Sequence, residues 1–160
     1  MRETRSSDEG GFSLIEVMVA ILILTVGLLS LAQMMVLATS SNSLSSRMTS
    51  ASSLAKEQLE RLKAAPFYID PVARTRSDAL RDGGSIDLPG GDGYAQLYDA
   101  EGVPVGGGGQ YEVRWEIATI PTNLPLEMIE IRVRCVSVSV DQFNIIGEAR
   151  FTTFRTANVG

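Results

Sequence analysis

One carboxylate stands out near the amino terminus of this chain, because it lies inside a long apolar run. Glu16 is the only formally charged residue between Gly10 and Ser46. A charged side chain at the centre of a membrane-spanning helix costs about 2.5–3.5 kcal/mol on insertion scales, and less near the helix end. Glu16 therefore requires a cationic partner that offsets this cost.

The residues before Glu16 supply such a partner if the peptide bond between Gly11 and Phe12 is cut. Cleavage there would free the α-amine of Phe12, four positions before Glu16. Residues four apart lie on the same face of a helix, so the new ammonium group and the carboxylate would be neighbours. The spacing predicts a charge pair that is created by proteolysis.

The sequence GFSLIE at residues 11–16, followed by apolar residues to about Ala38, resembles the amino terminus of type IV prepilins and type II secretion pseudopilins. In that family a prepilin peptidase cuts after the glycine and methylates the new amino terminus. The resemblance implies that Gly11 precedes the cut, that Phe12 becomes the N-methylated first residue, and that Glu16 is the acidic position used in assembly. Methylation keeps the charge of an amine, so the pairing would survive it.

Two plainer interpretations fit parts of the same pattern. A signal-anchor helix could carry an incidental acidic residue near its start. A secretory signal peptide has a basic first region and then an apolar region of about 7–15 residues. Residues 1–11 are not net basic here, and the apolar run is longer than such a region, so the prepilin interpretation is favoured.

The composition argues against catalysis. The chain has 160 residues, a net charge of −5, no histidine and one cysteine, Cys135. It therefore has no imidazole for acid–base catalysis and cannot form an intrachain disulfide. No nucleophile–base set and no metal-ligand spacing is evident. We expect no enzyme activity, cofactor, metal site or small-molecule substrate, and the acidic balance makes nucleic acid an unlikely class of partner.

The elements that must position Glu16 begin with a long helix. Residues 12–38 read as a transmembrane or filament-core helix, because residues 17–38 alone would span about 33 Å. Residues 39–65 read as an amphipathic continuation that ends before Pro66. Local melting or a bend is expected at residues 39–46, where serine and asparagine are frequent; the alternative is a plain linker between a membrane anchor and an independent domain. The apolar positions of the amphipathic part are Met48, Ala51, Ala55, Leu59 and Leu62.

Residues 66–160 are expected to form one globular domain. Its first part, residues 67–110, is rich in glycine and proline and reads as a variable loop region with a short hairpin near Tyr94–Tyr98. Acidic residues there raise the question of calcium, but their spacing matches no EF-hand loop, and solvated turn aspartates are the plainer interpretation. These residues are Asp78, Asp82, Asp87, Asp92, Asp99 and Glu101.

Residues 111–156 are expected to form an antiparallel β-meander. Alternation of apolar and polar residues predicts strands around residues 111–117 and 129–135, with a third strand near 148–155. Trp115 and Cys135 fall on the apolar face and are expected in the core. The fold class predicted is α+β and pilin-like, with the long helix packed on a small antiparallel sheet of three to four strands.

The resemblance implies an assembly function. It is closest to a PilV-type minor pilin of a type IV pilus; the alternatives are a minor pseudopilin of a type II secretion system and an unprocessed, membrane-anchored periplasmic binding module. The implied partners are the inner membrane, other pilin or pseudopilin subunits and the prepilin peptidase. The implied location is the inner membrane, crossed once with the carboxyl-terminal domain in the periplasm, and then the filament. Residues 1–11 would be a cytoplasmic leader peptide that is removed.

Overall fold

The computed structural model describes residues 11–88, 93–123, 126–137 and 147–157. It contains one long helix, α1, over Leu14–Ala64 (51 residues) and an antiparallel sheet, so the predicted fold class is confirmed. The chain divides into two compact units, Met1–Asn42 and Ser43–Gly160. Most of the predicted leader and Asp92 lie outside the described residues.

The first unit consists of the apolar part of α1. Every described side chain up to Asn42 is exposed, as expected for a segment whose partners are lipid or other subunits. Of the described helices, this is the one that is long and apolar enough to cross a membrane. The predicted local melting at residues 39–46 is wrong, because α1 continues through them. The Thr39 and Ser40 hydroxyls donate to the carbonyls of Met35 and Leu37, each at 2.9 Å, within the same helix.

The later part of α1 supplies one wall of the core. The predicted amphipathic pattern is confirmed in outline. Met48 is 46% exposed, however, and Leu54, which is not among the predicted positions, is buried. The helix ends where Pro66 follows, and the Arg155 guanidinium donates to the carbonyl of Leu62 at 3.2 Å near this end. The apolar side chains of α1 in the core are Ala51, Leu54, Ala55, Leu59 and Leu62.

Eight strands follow α1 in the described residues. They are β1 (Tyr68–Asp70), β2 (Thr75–Arg76), β3 (Gly83–Gly84), β4 (Ala95–Tyr98), β5 (Pro104–Val105), β6 (Tyr111–Ile120), β7 (Met128–Ser137) and β8 (Glu148–Thr156), with a short 3-10 helix at Asp78–Leu80 between β2 and β3. The main sheet has the order β5-β4-β6-β7-β8, with β3 also paired to β6, and β1 and β2 form a separate pair. The predicted meander is confirmed as β6, β7 and β8, which pair antiparallel.

The main sheet is larger than the predicted three to four strands, because residues 67–110 contribute short strands to it. Its six strands include the predicted hairpin, which is formed by β4 and β5. The glycine pair that reads as a loop signal is in fact β3. A Cβ at Gly84 would lie 2.2 Å from the Trp115 carbonyl oxygen, and its φ is +83°, so only glycine permits this close strand pairing.

The two faces of the sheet have different character. Ile117 pairs with Ile131, and Cys135 pairs with both Val113 and Ala149, so these residues share the face that packs in the core with α1. Cys135 is fully buried, as predicted. Trp115 is half-buried and packs against the edge of the core, which is less than predicted.

The opposite face of the sheet carries charged side chains and is partly covered. Arg114 and Arg134 are each only 8% exposed. Arg134 donates to the carbonyl of Ile86 at 3.0 Å, so the segment after β3 lies over this face. Buried and partly exposed residues alternate in the first part of β7, but from Val133 onward both faces are buried, because the segment after β3 covers the second face. The register with β8 stays regular to Val136.

Candidate processing and assembly site

The predicted cleavage site lies just outside α1. Gly11, Phe12 and Ser13 are not helical and are exposed, and the Phe12 side chain retains 82% of its accessible surface. The helix begins immediately after them, since the Ser13 carbonyl accepts the Glu16 amide at 3.0 Å. A peptide bond in an exposed, non-helical segment is accessible to a protease, whereas one inside a helix is not.

Gly11 is not required by the fold. A Cβ placed there would meet no other atom within 4 Å, and the backbone is not in the left-handed region. Packing and backbone conformation therefore place no demand on this position, as is also true of Gly27 and Gly106.

Glu16 lies in the first turn of α1, where the helix dipole favours a negative charge. The dipole contributes only about 0.3–1 kcal/mol, less than the cost of a carboxylate deep in lipid. Within the described residues its exposed side chain makes no hydrogen bond or ion pair. The carboxylate is therefore available to a cationic partner.

The other polar groups of the apolar segment (residues 12–38) divide into two kinds. The Thr25 and Ser30 hydroxyls donate to the carbonyls of Leu22 and Val26 at 2.8 and 2.9 Å, so the helix satisfies them itself. Gln33 is exposed, and its amide has no hydrogen-bond partner in the described part of the chain. The apolar pattern of residues 17–38 gives no sign of this, because in the sequence Gln33 is only one of several interruptions of the run.

Residues 6–32 match the prokaryotic N-terminal methylation motif. The matched range includes Gly11, Phe12 and Glu16. The motif indicates a precursor of the type IV pilin or pseudopilin kind, with a membrane-associated helix, and such proteins are structural rather than catalytic. No curated protein and no solved structure matches the chain.

Several of the acidic residues that suggested calcium have other partners. Asp82 pairs with Arg76 at 2.7 Å, and Asp87 lies 3.5 Å from Arg134. The Asp99 carboxylate accepts two backbone amides of its own turn, at 3.0 and 2.8 Å. No group of three or more histidine, cysteine, aspartate or glutamate side chains in the described ranges is arranged to hold a metal ion.

A cavity of about 510 Å³ with polar and apolar walls lies beside Trp115 in the globular unit. All three charged side chains in its described wall are paired: Arg61 with Glu57 at 2.7 Å, and Arg81 with Asp78 at 2.6 Å. The described residues of the wall supply no nucleophile with a base beside it. The lining residues are Gln58, Arg61, Leu62, Asp78, Ala79, Arg81, Gly93, Tyr94 and Trp115.

Cys135 and Glu148 are two of the titratable groups of the globular unit whose pKa is clearly shifted. Burial raises the pKa of the Cys135 thiol to about 12, with a smaller effect from the negative charge of Glu112. Burial also raises the pKa of Glu148, but hydrogen bonds and positive charge from Arg150 and Arg134 outweigh it, and the net pKa lies below the usual value. Both groups are structural: Cys135 acts as a small apolar side chain, and Glu148 anchors two arginines.

Proposed function

We propose that this chain is a minor pilin of a type IV pilus, made as a prepilin and processed after Gly11. The observation that carries the proposal is the methylation motif at residues 6–32, which coincides with an exposed Gly11–Phe12 bond directly before an apolar helix. A minor subunit is favoured over a main structural pilin because a single cysteine cannot form the intrachain disulfide that closes the carboxyl-terminal loop of many main pilins.

The proposed mechanism is assembly. Before assembly, the apolar segment holds the subunit in the inner membrane, with the domain on the periplasmic side. On extraction into a filament, helix-to-helix contacts replace lipid contacts. Glu16 then meets a methylated amino terminus, its own or that of a neighbouring subunit, in surroundings of low dielectric constant. Because an unpaired buried charge is costly, the pairing also penalises subunits that enter out of register.

Intact-mass measurement of the protein purified from cell membranes tests the processing step. The mature chain should lack residues 1–11 and carry one added methyl group on Phe12. In a strain without prepilin peptidase, the full mass should return. A fully active chain that still begins at Met1 in the parent strain would refute the proposal and favour an unprocessed membrane-anchored module.

A deletion strain tests which filament the chain serves. Loss of surface pili with intact protein secretion is expected. The opposite result, intact pili with loss of secretion, would assign the chain to the minor pseudopilins of a type II secretion system.

The assembly role of Glu16 gives a specific prediction. Glu16→Ala and Glu16→Val should insert into the membrane normally, because both changes make the segment more apolar. Incorporation into sheared filaments should fall about tenfold or more, since the partner ammonium group would be left buried and unpaired. Quantitative immunoblotting of membrane and filament fractions measures both quantities.

Ser30→Ala is the matched control for the Glu16 variants. It also removes a polar group from the apolar segment, but the Ser30 hydroxyl is satisfied within its own helix. Its incorporation should equal that of the parent chain. Normal incorporation of both Glu16 variants would contradict the charge-pair mechanism.

A further inference from the structure

Gln33 is a polar side chain within the apolar segment, and α1 provides no hydrogen-bond partner for its amide in the described residues. The threonine and serine hydroxyls around it bond back to carbonyls of their own helix, at 2.8–2.9 Å. Its primary amide has two N–H donors and a carbonyl acceptor, none of which is bonded within the described residues. In hydrocarbon such a group is costly unless another helix provides the partner.

Gln33 belongs to a regular seam along the helix. Starting at Ile15, exposed residues on one side of α1 recur at alternating steps of four and three, which is the heptad spacing of helices that pack in pairs. In the two heptads before Gln33, valine occupies the a positions and leucine the d positions. This combination favours parallel pairs of helices. The seam consists of Ile15, Val19, Leu22, Val26, Leu29, Gln33, Val36 and Ser40.

The surface of the seam is concave beside Gln33. Leu29, Ala32, Gln33 and Val36 stand at positions i, i+3, i+4 and i+7, the four residues that form a hole for a side chain of a facing helix. Together with Leu37 they border a shallow hollow that is open to the surroundings of the helix. Ala32 has the smallest side chain of the four, which leaves room between the others for a leucine or valine from a partner.

We propose that this seam is the docking surface for α1 of a second copy of the chain, in a parallel pair joined by Gln33. The pair forms in the membrane before filament assembly. An amide is both donor and acceptor, so two Gln33 side chains are complementary to each other. Two copies inserted in the same orientation place Gln33 at the same depth, which brings the amides and the facing hollows into register.

A single polar residue in an apolar seam sets register and strand number in helix pairs. The apolar segment offers several faces of similar hydrophobicity, but the seam is the face that combines an unpartnered amide with a hollow. The inference deepens the proposed function, since it rests on α1 lying in a membrane and names a partner for the unassembled subunit. It assigns Gln33 a role separate from that of Glu16, because the two side chains lie about 100° apart around the helix.

Disulfide crosslinking of the uncleaved full-length chain tests the inference. The protein is reconstituted at low density in vesicles of phosphatidylethanolamine and phosphatidylglycerol and oxidised mildly. Leu29→Cys and Val36→Cys should crosslink rapidly as dimers. Met34→Cys lies about 150° from the centre of the hollow and should crosslink slowly. The parent chain should not crosslink, because Cys135 is buried.

The amide itself is tested by adding Gln33→Leu to Leu29→Cys. Loss of one interhelical hydrogen-bonded contact should slow dimer formation about three- to twenty-fold. Ser30→Ala in the same background is the matched control and should leave the rate unchanged. Circular dichroism of each variant verifies that α1 remains helical.

Three results would overturn the inference. The first is equal crosslinking at Leu29→Cys and Met34→Cys; the second is a Gln33→Leu rate equal to that of the parent. The third is the absence of a Leu29→Cys dimer in the vesicles when the same variant, oxidised in cell membranes, gives a product of different mass; this would show that the seam serves another protein. No assembly machinery is present in the vesicles, so failure here would leave the processing and Glu16 experiments unaffected.

Discussion

The polar residues of the apolar segment fall into two groups, according to whether α1 itself provides their hydrogen-bond partners. The Thr25 and Ser30 hydroxyls donate to carbonyls one turn back, so they need no partner from a neighbouring helix. Glu16 and Gln33 have no such bond in the described residues. A carboxylate and an amide of this kind are tolerated in an apolar segment when the assembled state provides their partners. Under the proposed function, these two positions are therefore the ones at which the apolar segment would select its partners.

Cys135 is predicted to be chemically inert in the folded protein. The thiolate is the reactive form, and burial raises the pKa of this thiol to about 12, so the thiolate is scarce at pH 8. A chromogenic disulfide reagent at pH 8 should give no signal from the native protein and one equivalent after unfolding in urea. Rapid labelling of the native protein would show that the β7 core is open to solvent.

At the level of elements, the sheet is covered on one face by α1 and on part of the other by the segment after β3. The second cover depends on Arg134. Its guanidinium donates to the Ile86 carbonyl at 3.0 Å and to Glu148 at 3.3 Å. One side chain of β7 thus connects β8 with the segment that lies over the sheet. The side chain of Arg134 is only 9% exposed, so solvent does not screen these contacts strongly.

Arg134→Met is predicted to lower the free energy of unfolding by about 2–3 kcal/mol, because it removes buried hydrogen bonds to charged and carbonyl groups. The control is Arg132→Met on the same strand and face. Arg132 pairs with Glu130 at 3.0 Å, but its side chain is 38% exposed, so the loss should stay below about 1 kcal/mol. Urea unfolding of the full chain in detergent, followed by Trp115 fluorescence, measures both. Equal effects would contradict the role assigned to Arg134.

For the whole molecule, the boundary of the folding unit lies inside α1 and not at its end. The second compact unit begins at Ser43, so it retains the helical residues that contribute to the core. The sheet alone would expose its apolar face. Burial of three leucines from α1 is worth about 5–9 kcal/mol, which is comparable with the entire stability of a small domain.

A fragment of residues 43–160 is therefore predicted to fold cooperatively in water, whereas residues 66–160 should not fold. Far-ultraviolet circular dichroism on heating should show one sharp transition for the longer fragment and none for the shorter one. A cooperative transition in residues 66–160 would show that α1 is dispensable for the sheet. The longer fragment also provides a reference for the Arg134 variants without detergent.

The long helix, the meander and the processing motif could be predicted from the sequence, because each depends on local pattern. Apolar length defines the membrane segment, alternation in residues 111–117 and 129–135 defines strands, and the GFSLIE residues are contiguous. Residues 67–110, which are rich in glycine, are predicted as loops, but the structure places several short strands there. Gly84 reads as a chain breaker, yet it forms a strand because the Trp115 carbonyl lies where a Cβ would be.

The sequence by itself determined the methylation motif at the amino terminus and the class of fold, since charge, spacing and periodicity act between near neighbours. The tertiary structure alone decided which polar groups remain unsatisfied, how far Trp115 and Met48 are exposed, and how the segment after β3 covers Arg134. Those outcomes depend on contacts between residues far apart in the chain. Periodicity assigns a residue to a face, but only the packed neighbours determine whether that face is covered.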